Sequence, residues 1–250
     1  MIFSRDYARQ GDELRQKGQF EKAAESYRKA KKLELAAEMY RLAGKLDLAV
    51  ATYKEAGQWL LAARLLVQSG FPKEATPLFR EAGALAEAAE ANFAAGLYDQ
   101  AALLFEQQRL FERAAECCVQ LGDTPRALVN LEKAAEDLRR RSDLSPAALD
   151  HQLREIDLYR ADLLERLGRA GEAAKLLAAR GLLQRAAALF EKAGDPGQAA
   201  EAFLDAGLVD EALWVVRRHP DLDPAQRAEV FLNAGEHCCA DDCDSTNADE

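Results

Sequence analysis

The sequence predicts an all-α chain: about sixteen short helices stacked one on the next as antiparallel pairs. Three observations predict it. Glycine returns every thirteen residues, at 18, 44, 57, 70, 83, 96 and 122, and on a second grid at 168, 181, 194 and 207. Alanine stands five residues after every slot, from Ala23 and Ala36 through to Ala199 and Ala212, even where Lys31 and Arg109 replace the glycine. Large apolar residues recur at a third fixed offset, as Tyr27, Tyr40, Tyr53, Phe79, Phe105, Phe190 and Phe203. A fixed internal period marks a stacked repeat architecture, in which each unit buries its apolar side only against its neighbours.

Counted from the slot as position 1, each unit has an apolar residue at position 3, alanine at 6, a large residue at 10 and commonly alanine at 13. These offsets draw one stripe along an α-helix. Central alanine lets a neighbouring helix approach to about 8 Å, and the large residue one turn later fills the space beside it. Glycine suits the slot because it adopts the left-handed conformation that ends a helix. Each unit is therefore expected to be a helix of about ten residues, roughly 15 Å long, plus a three-residue turn. Helices so short do not persist alone in water, and turns so short make neighbours antiparallel, so two units form one hairpin and hairpins stack.

Along the chain, residues 1–134 read as a first array, opened by a helix containing Tyr7, Ala8, Gly11 and Leu14. The period then fails over 135–167. The helix begun near Thr124 is expected to run on to about Arg141, followed by a loop over Ser142–Ser145. Ser145-Pro146 reads as the N-cap and first residue of a long helix with an apolar face of Leu149, Leu153, Ile156, Leu163 and Leu167. A second array spans 168–239 and closes with a helix from 224 to about 237 that turns Val230, Phe231 and Ala234 inward. Residues 240–250, ADDCDSTNADE, have nothing to bury and are expected to be disordered.

The pattern carried by Gly18, Phe20, Ala23, Tyr27 and Ala30 resembles the second helix of a tetratricopeptide repeat, and roughly residues 5–134 and 155–219 resemble the TPR-like α-solenoids. The hairpin here is shorter, with both helices written in the second-helix pattern. That is similar to the compact repeats of vesicle-coat, intraflagellar-transport and related adaptor subunits. The resemblance implies a right-handed superhelix that acts by displaying a surface.

The net charge of −10 argues against a nucleic-acid partner. The N-terminus lacks an apolar signal region and no run is long enough to span a membrane, so membrane insertion is not expected and a cytoplasmic location is. Five cysteines, including the adjacent pairs Cys117-Cys118 and Cys238-Cys239, fit a reducing compartment. Phosphate-loop, dinucleotide and metalloprotease motifs do not occur, and no catalytic, cofactor or metal residues are assigned. His237, Cys238, Cys239 and Cys243 form a cluster with metal-ligand chemistry, but adjacent cysteines are poor chelators, and an unstructured tail explains them as well. Cys118 is expected to fill the large core position of its unit. The basic runs Arg139–Arg141 and Arg217-Arg218 fall at helix C-termini, where cations complement the dipole.

Positions 4, 5, 8, 11 and 12 lie off the stripe and should face solvent. Odd units are charged there, as in Glu21, Lys22, Glu25, Arg28 and Lys29. Even units offer Leu35, Leu42, Leu60, Leu61, Arg64, Val67, Phe93 and Val119 instead, so polarity alternates from unit to unit. Either these residues are core of crowded inner helices, or they line a concave groove that receives a helical or extended segment of another protein. Trp214, at position 8 of the last full unit, is a further candidate contact. The expected function is a non-catalytic interaction scaffold or adaptor. The alternative is a structural or regulatory subunit that self-assembles through the array ends or the long helix.

Overall fold

The structure, a computed structural model, describes residues 2–224, 227–228, 230–232 and 235. Among these the chain is helical, with no strand. The helices are α1 (Ile2–Gln16), α2 (Phe20–Lys29), α3 (Leu33–Leu42), α4 (Leu46–Glu55), α5 (Trp59–Gln68), α6 (Pro72–Glu81), α7 (Leu85–Ala94), α8 (Tyr98–Gln107), α9 (Phe111–Gln120), α10 (Thr124–Arg140), α11 (Pro146–Arg166), α12 (Ala170–Ala178), α13 (Leu183–Ala193), α14 (Pro196–Asp205) and α15 (Val209–Arg218). The described residues between 224 and 235 are helical as well. The chain divides into two compact units, 1–130 and 131–250, with the division inside α10. Within each unit helices pack in sequence order, α1 through α9 in the first and α11 through α15 in the second.

The thirteen-residue beat is a backbone event. All eleven slot glycines have φ between 70° and 86°, and Lys31 (58°) and Arg109 (60°) adopt the same left-handed conformation. The residue at position 2 then joins two helices. Gln58, for example, donates its N–H to the carbonyl of Tyr53 at 2.8 Å, closing α4, while its own carbonyl accepts from Ala62 at 3.1 Å, opening α5. Together with the Gly57 N–H donating to Lys54 at 3.0 Å, the first of these bonds makes a Schellman closure whose last residue serves as the next helix's N-cap. Most of these N-caps have no side-chain hydrogen bond. Asp123 and Asp195 are exceptions, accepting from the backbone N–H of Arg126 (3.1 Å) and Gln198 (3.2 Å).

Every position-6 alanine is wholly buried. So is position 7 wherever it is alanine, as in Ala24, Ala37, Ala63, Ala89, Ala102 and Ala115. The close contact between helices is thus made by a pair of small residues, not one. Tyr27, Tyr40, Tyr53, Phe79, Phe105 and Cys118 fill position 10 as buried side chains. The stripe reaches position 13 only in some units: Ala30 and Ala134 are buried there, whereas the C-caps Ala43 and Ala56 are half-buried and Ala82 is exposed.

At the period break α10 ends at Arg140. Ser145 caps α11 by accepting from Ala148 N–H at 3.3 Å. Leu153, Ile156 and Leu163 are buried, Leu149 is half-buried, and Leu167, the C-cap residue, is exposed. One feature of this region was not legible in the sequence. Asp157, 3% exposed, is held by Arg160 at 3.0 Å and by Arg180 at 2.7 Å. Arg160 also faces Glu132 (3.7 Å), and Arg180 also faces Asp150 (3.3 Å). Counted back from Gly168, Arg160 occupies position 6, so a guanidinium stands where every other unit has alanine. Near the chain's end Val230 is buried, but Phe231 is exposed, contrary to the inward orientation expected for it. Ala234, the His237–Cys243 cluster and the acidic tail lie outside the described residues.

Candidate interaction surface

Several pairs of helices two apart are tied together by ion pairs with a regular geometry. Arg64 on α5 meets Glu87 on α7 at 3.6 Å, and Glu90 on α7 meets Arg113 on α9 at 2.5 Å. In the second unit Asp162 on α11 meets Arg185 on α13 at 2.5 Å. Each rung joins position 8 of one helix to position 5 of the helix two further on. A second rung joins position 11 to position 12, as in Arg28–Glu55 (3.0 Å) and Glu165–Lys192 (2.8 Å). Exposed pairs of this kind contribute little stability individually, about 0–1 kcal/mol each, but they show which positions face each other across the outer surface.

Along α3, α5, α7 and α9 one of the three position-8 to position-5 places holds no ion pair. Position 8 of α3 is Glu38, and the matching position 5 of α5 is Leu61. Glu38 is instead gripped by Arg41 through two hydrogen bonds, 2.9 and 2.5 Å, and accepts a third from the Tyr53 hydroxyl at 3.1 Å. The Arg41 hydrogen bonds hold the Glu38 carboxyl below its ordinary range, against the opposing effect of burial. Burial, followed by the hydrogen bond to Glu38, pushes the Tyr53 hydroxyl up to about 12.

None of the nine residues singled out from the sequence is buried. Leu42, Leu61, Arg64, Val67 and Trp214 are exposed, whereas Leu35, Leu60, Phe93 and Val119 are half-buried. Leu35 packs against the core cluster of Tyr27, Met39 and Tyr40. Phe93 stands edge-on to Tyr98 (centroids 5.3 Å apart) beneath the Arg113 guanidinium at 4.9 Å. Trp214 belongs to the second unit and is covered by the Arg218 guanidinium at 5.0 Å.

The structure gathers Leu60, Leu61, Arg64 and Val67 on α5, and this helix differs from its neighbours. It is the sequence WLLAARLLVQ, and its only buried residues are Ala62 and Ala63. Trp59, Leu60, Leu65 and Leu66 are half-buried and Leu61 and Val67 exposed, so six large apolar side chains on ten residues keep contact with solvent. Phe71, the N-cap of α6, and Leu85, the first residue of α7, are exposed nearby in sequence. Exposed apolar residues are not confined to even units, however. Leu48 on α4, Leu103 on α8 and Val129 on α10 are 41%, 48% and 50% exposed. They hold positions 5 and 8, which face outward in either layer, so the alternation read from the sequence is incomplete.

Cys117 and Cys118 are buried free thiols, and burial pushes Cys117 up to about 11, which leaves it a core residue at neutral pH. Buried polar side chains were missed in the sequence. Asn92 takes the position-10 place on α7 and accepts from the Thr76 hydroxyl at 2.8 Å, while Asn130 donates to Glu106 at 2.9 Å. Both contacts join helices one or two apart, and no spacing rule marks them.

No family model matches the sequence, and no curated protein is significantly similar to it. A solved structure described as a circular tandem repeat protein with novel repeat topology and enhanced subunit contact surfaces is similar at 17% identity. The match covers 94% of this chain and 63% of that one, with a TM-score of 0.21. The chain thus spans less than two thirds of that structure's length, and the fold description rests on this chain's own geometry. No described helix is long and apolar enough to cross a membrane.

Proposed function

We propose that this protein is a non-catalytic interaction scaffold: a TPR-like, right-handed helical-repeat array, cytoplasmic, that presents its odd-numbered helices α3, α5, α7 and α9 to a segment of another protein. The observation that supports this reading most is α5. A repeat helix in this fold stacks through the side chains at positions 6, 7, 9 and 10, which are the ones regularly buried. α5 carries large apolar residues at positions 4, 5 and 11 in addition, and the array leaves them in contact with water. Each contributes roughly 1.5–3 kcal/mol when fully buried, and a docked segment would supply that burial.

The missing rung supplies the test. Leu61→Lys places an ammonium opposite Glu38 and completes the ladder, so the fold is retained while an apolar contact is lost. Crosslinking with mass spectrometry in native lysate should recover partners with the wild-type chain and not with the variant, at an unchanged melting temperature. Equal recovery by both proteins would refute this surface.

One observation favours self-assembly through the array end as a second reading. Trp214, Phe231 and Leu232 are 53%, 45% and 67% exposed near the end of the chain. Under that reading, light scattering would show a mass that rises with concentration and falls back on Trp214→Ser.

A further inference from the structure

We infer that the segment received by α5 is an amphipathic helix carrying a carboxylate between its apolar anchors, and that Arg64 selects it. The inference rests on the scaffold reading and names the chemistry of its partner. In α3, α5, α7 and α9, which share one layer of the first unit with α1, positions 5, 8 and 11 form a row along each helix. The rows are Leu35, Glu38, Arg41 on α3; Leu61, Arg64, Val67 on α5; Glu87, Glu90, Phe93 on α7; and Arg113, Glu116, Val119 on α9. The α5 row alone has an apolar residue at both ends. Its Leu61 and Val67 are 43% and 39% exposed, and the Arg64 side chain between them is 54% exposed.

The three arginines of α3, α5, α7 and α9 differ in how they are held. Arg41 donates two hydrogen bonds to Glu38 in a fork, and Arg113 donates two to Glu90 and another to Glu116. Arg64 meets Glu87 at 3.6 Å, beyond hydrogen-bond range. A guanidinium has five N–H donors arranged to take a carboxylate through two parallel bonds. The Arg64 fork is therefore open to a carboxylate from outside, while those of Arg41 and Arg113 are engaged. A partner helix with apolar residues on Leu61 and Val67 places the residue midway between them over Arg64. Charge complementarity makes that residue Asp or Glu.

The same geometry argues against a second copy of this chain as occupant. Arg64 lies near the midpoint of α5, so a two-fold contact across this helix brings the two Arg64 guanidiniums together. Like charges brought together in an interface are strongly unfavourable.

The test uses the full chain and fluorescein-labelled helical peptides with the face Leu-x-x-Glu-x-x-Leu, alongside peptides identical except for Lys or Gln at the central position. Fluorescence anisotropy should give the Glu peptide a Kd at least tenfold below that of the Lys peptide. Arg64→Glu should reverse the order, and Leu61→Ser with Val67→Ser should weaken both peptides. Circular dichroism of each variant confirms that it is folded. Equal affinity for Glu and Lys peptides, lost for both in the serine variant, would overturn the carboxylate assignment and leave the apolar scaffold surface standing. A preference for Glu that persists in Arg64→Glu would place recognition elsewhere and overturn the role of Arg64. Binding of neither peptide would overturn the proposal outright, whereas the scaffold reading is judged separately by the crosslinking of Leu61→Lys.

Discussion

Exchanging residues between a glycine slot and a filled slot should change stability in opposite directions by similar amounts. Gly57 has φ 71°, and a Cβ built on it meets nothing within 4 Å. Gly57→Ala therefore costs only what the left-handed conformation costs a residue with a Cβ, about 1–2 kcal/mol. Alanine also reduces the entropy of the unfolded chain, which offsets about 0.4–1 kcal/mol of that, so the net loss is about 1 kcal/mol. Lys31 holds the same conformation at φ 58°. Lys31→Gly removes the strain and raises unfolded-state entropy, for a net gain of about 0.5–1 kcal/mol by the same two quantities. Urea unfolding followed by far-ultraviolet circular dichroism measures both, and at this chain length each kcal/mol moves the melting temperature by about 2–4 °C. Gly57→Ala at wild-type stability, or a destabilising Lys31→Gly, would refute the claim that the thirteen-residue beat is set by backbone conformation at the slot.

The Asp157 network should behave as a buried charge cluster. Asp157→Ala is expected to cost about 3 kcal/mol, the lower end of the range for breaking a buried pair, because Arg160 and Arg180 keep Glu132 and Asp150; a loss under 1 kcal/mol in urea unfolding would contradict it. Gly11→Ala on α1 should lower the melting temperature despite alanine's better helix propensity. The new Cβ would stand 2.8 Å from the Tyr27 ring, which is buried and pinned by its hydroxyl donating to Asp12 at 2.6 Å, and overpacking of this kind costs about 1–3 kcal/mol. Tyr53 should titrate near 12 in an ultraviolet difference titration, and Tyr53→Phe identifies its signal. The raised value means that the protonated hydroxyl is favoured by the fold, so this stabilisation is whole below about 10, the unfolded value, and is lost as pH rises through about 12. An ordinary tyrosine titration with no late component would count against the Tyr53–Glu38 contact.

Much of the fold could be read along the chain because its causes are local. The left-handed slot is a property of one residue and its neighbours, and glycine marks it eleven times. The helix lengths follow from the slot spacing, and Ser145-Pro146 announces α11 through a cap made within four residues. Alanine at position 6 is legible for the same reason, since it repeats with the slot. Position 7 could have been read by aligning the units, where Ala24, Ala63 and Ala102 stand out. The candidate surface was only half legible. The off-stripe apolar residues of α5 are visible in the sequence, but their exposure depends on what the parallel helix two units away brings opposite them.

What the sequence by itself determined is the beat: where each helix ends, that neighbours run antiparallel, and that alanine lies at every close approach. Those are consequences of backbone sterics and period, and a single chain states them thirteen times over. Only the tertiary structure decided that Glu38 is held by Arg41 and Tyr53, that Arg64 meets its partner at 3.6 Å while Arg113 is gripped, and that Asp157 is buried between two arginines. The contacts of Arg64 with Glu87, Arg113 with Glu90 and Arg180 with Asp157 each join residues 23 positions apart. Their distances are set by how closely small residues let the helices between them pack.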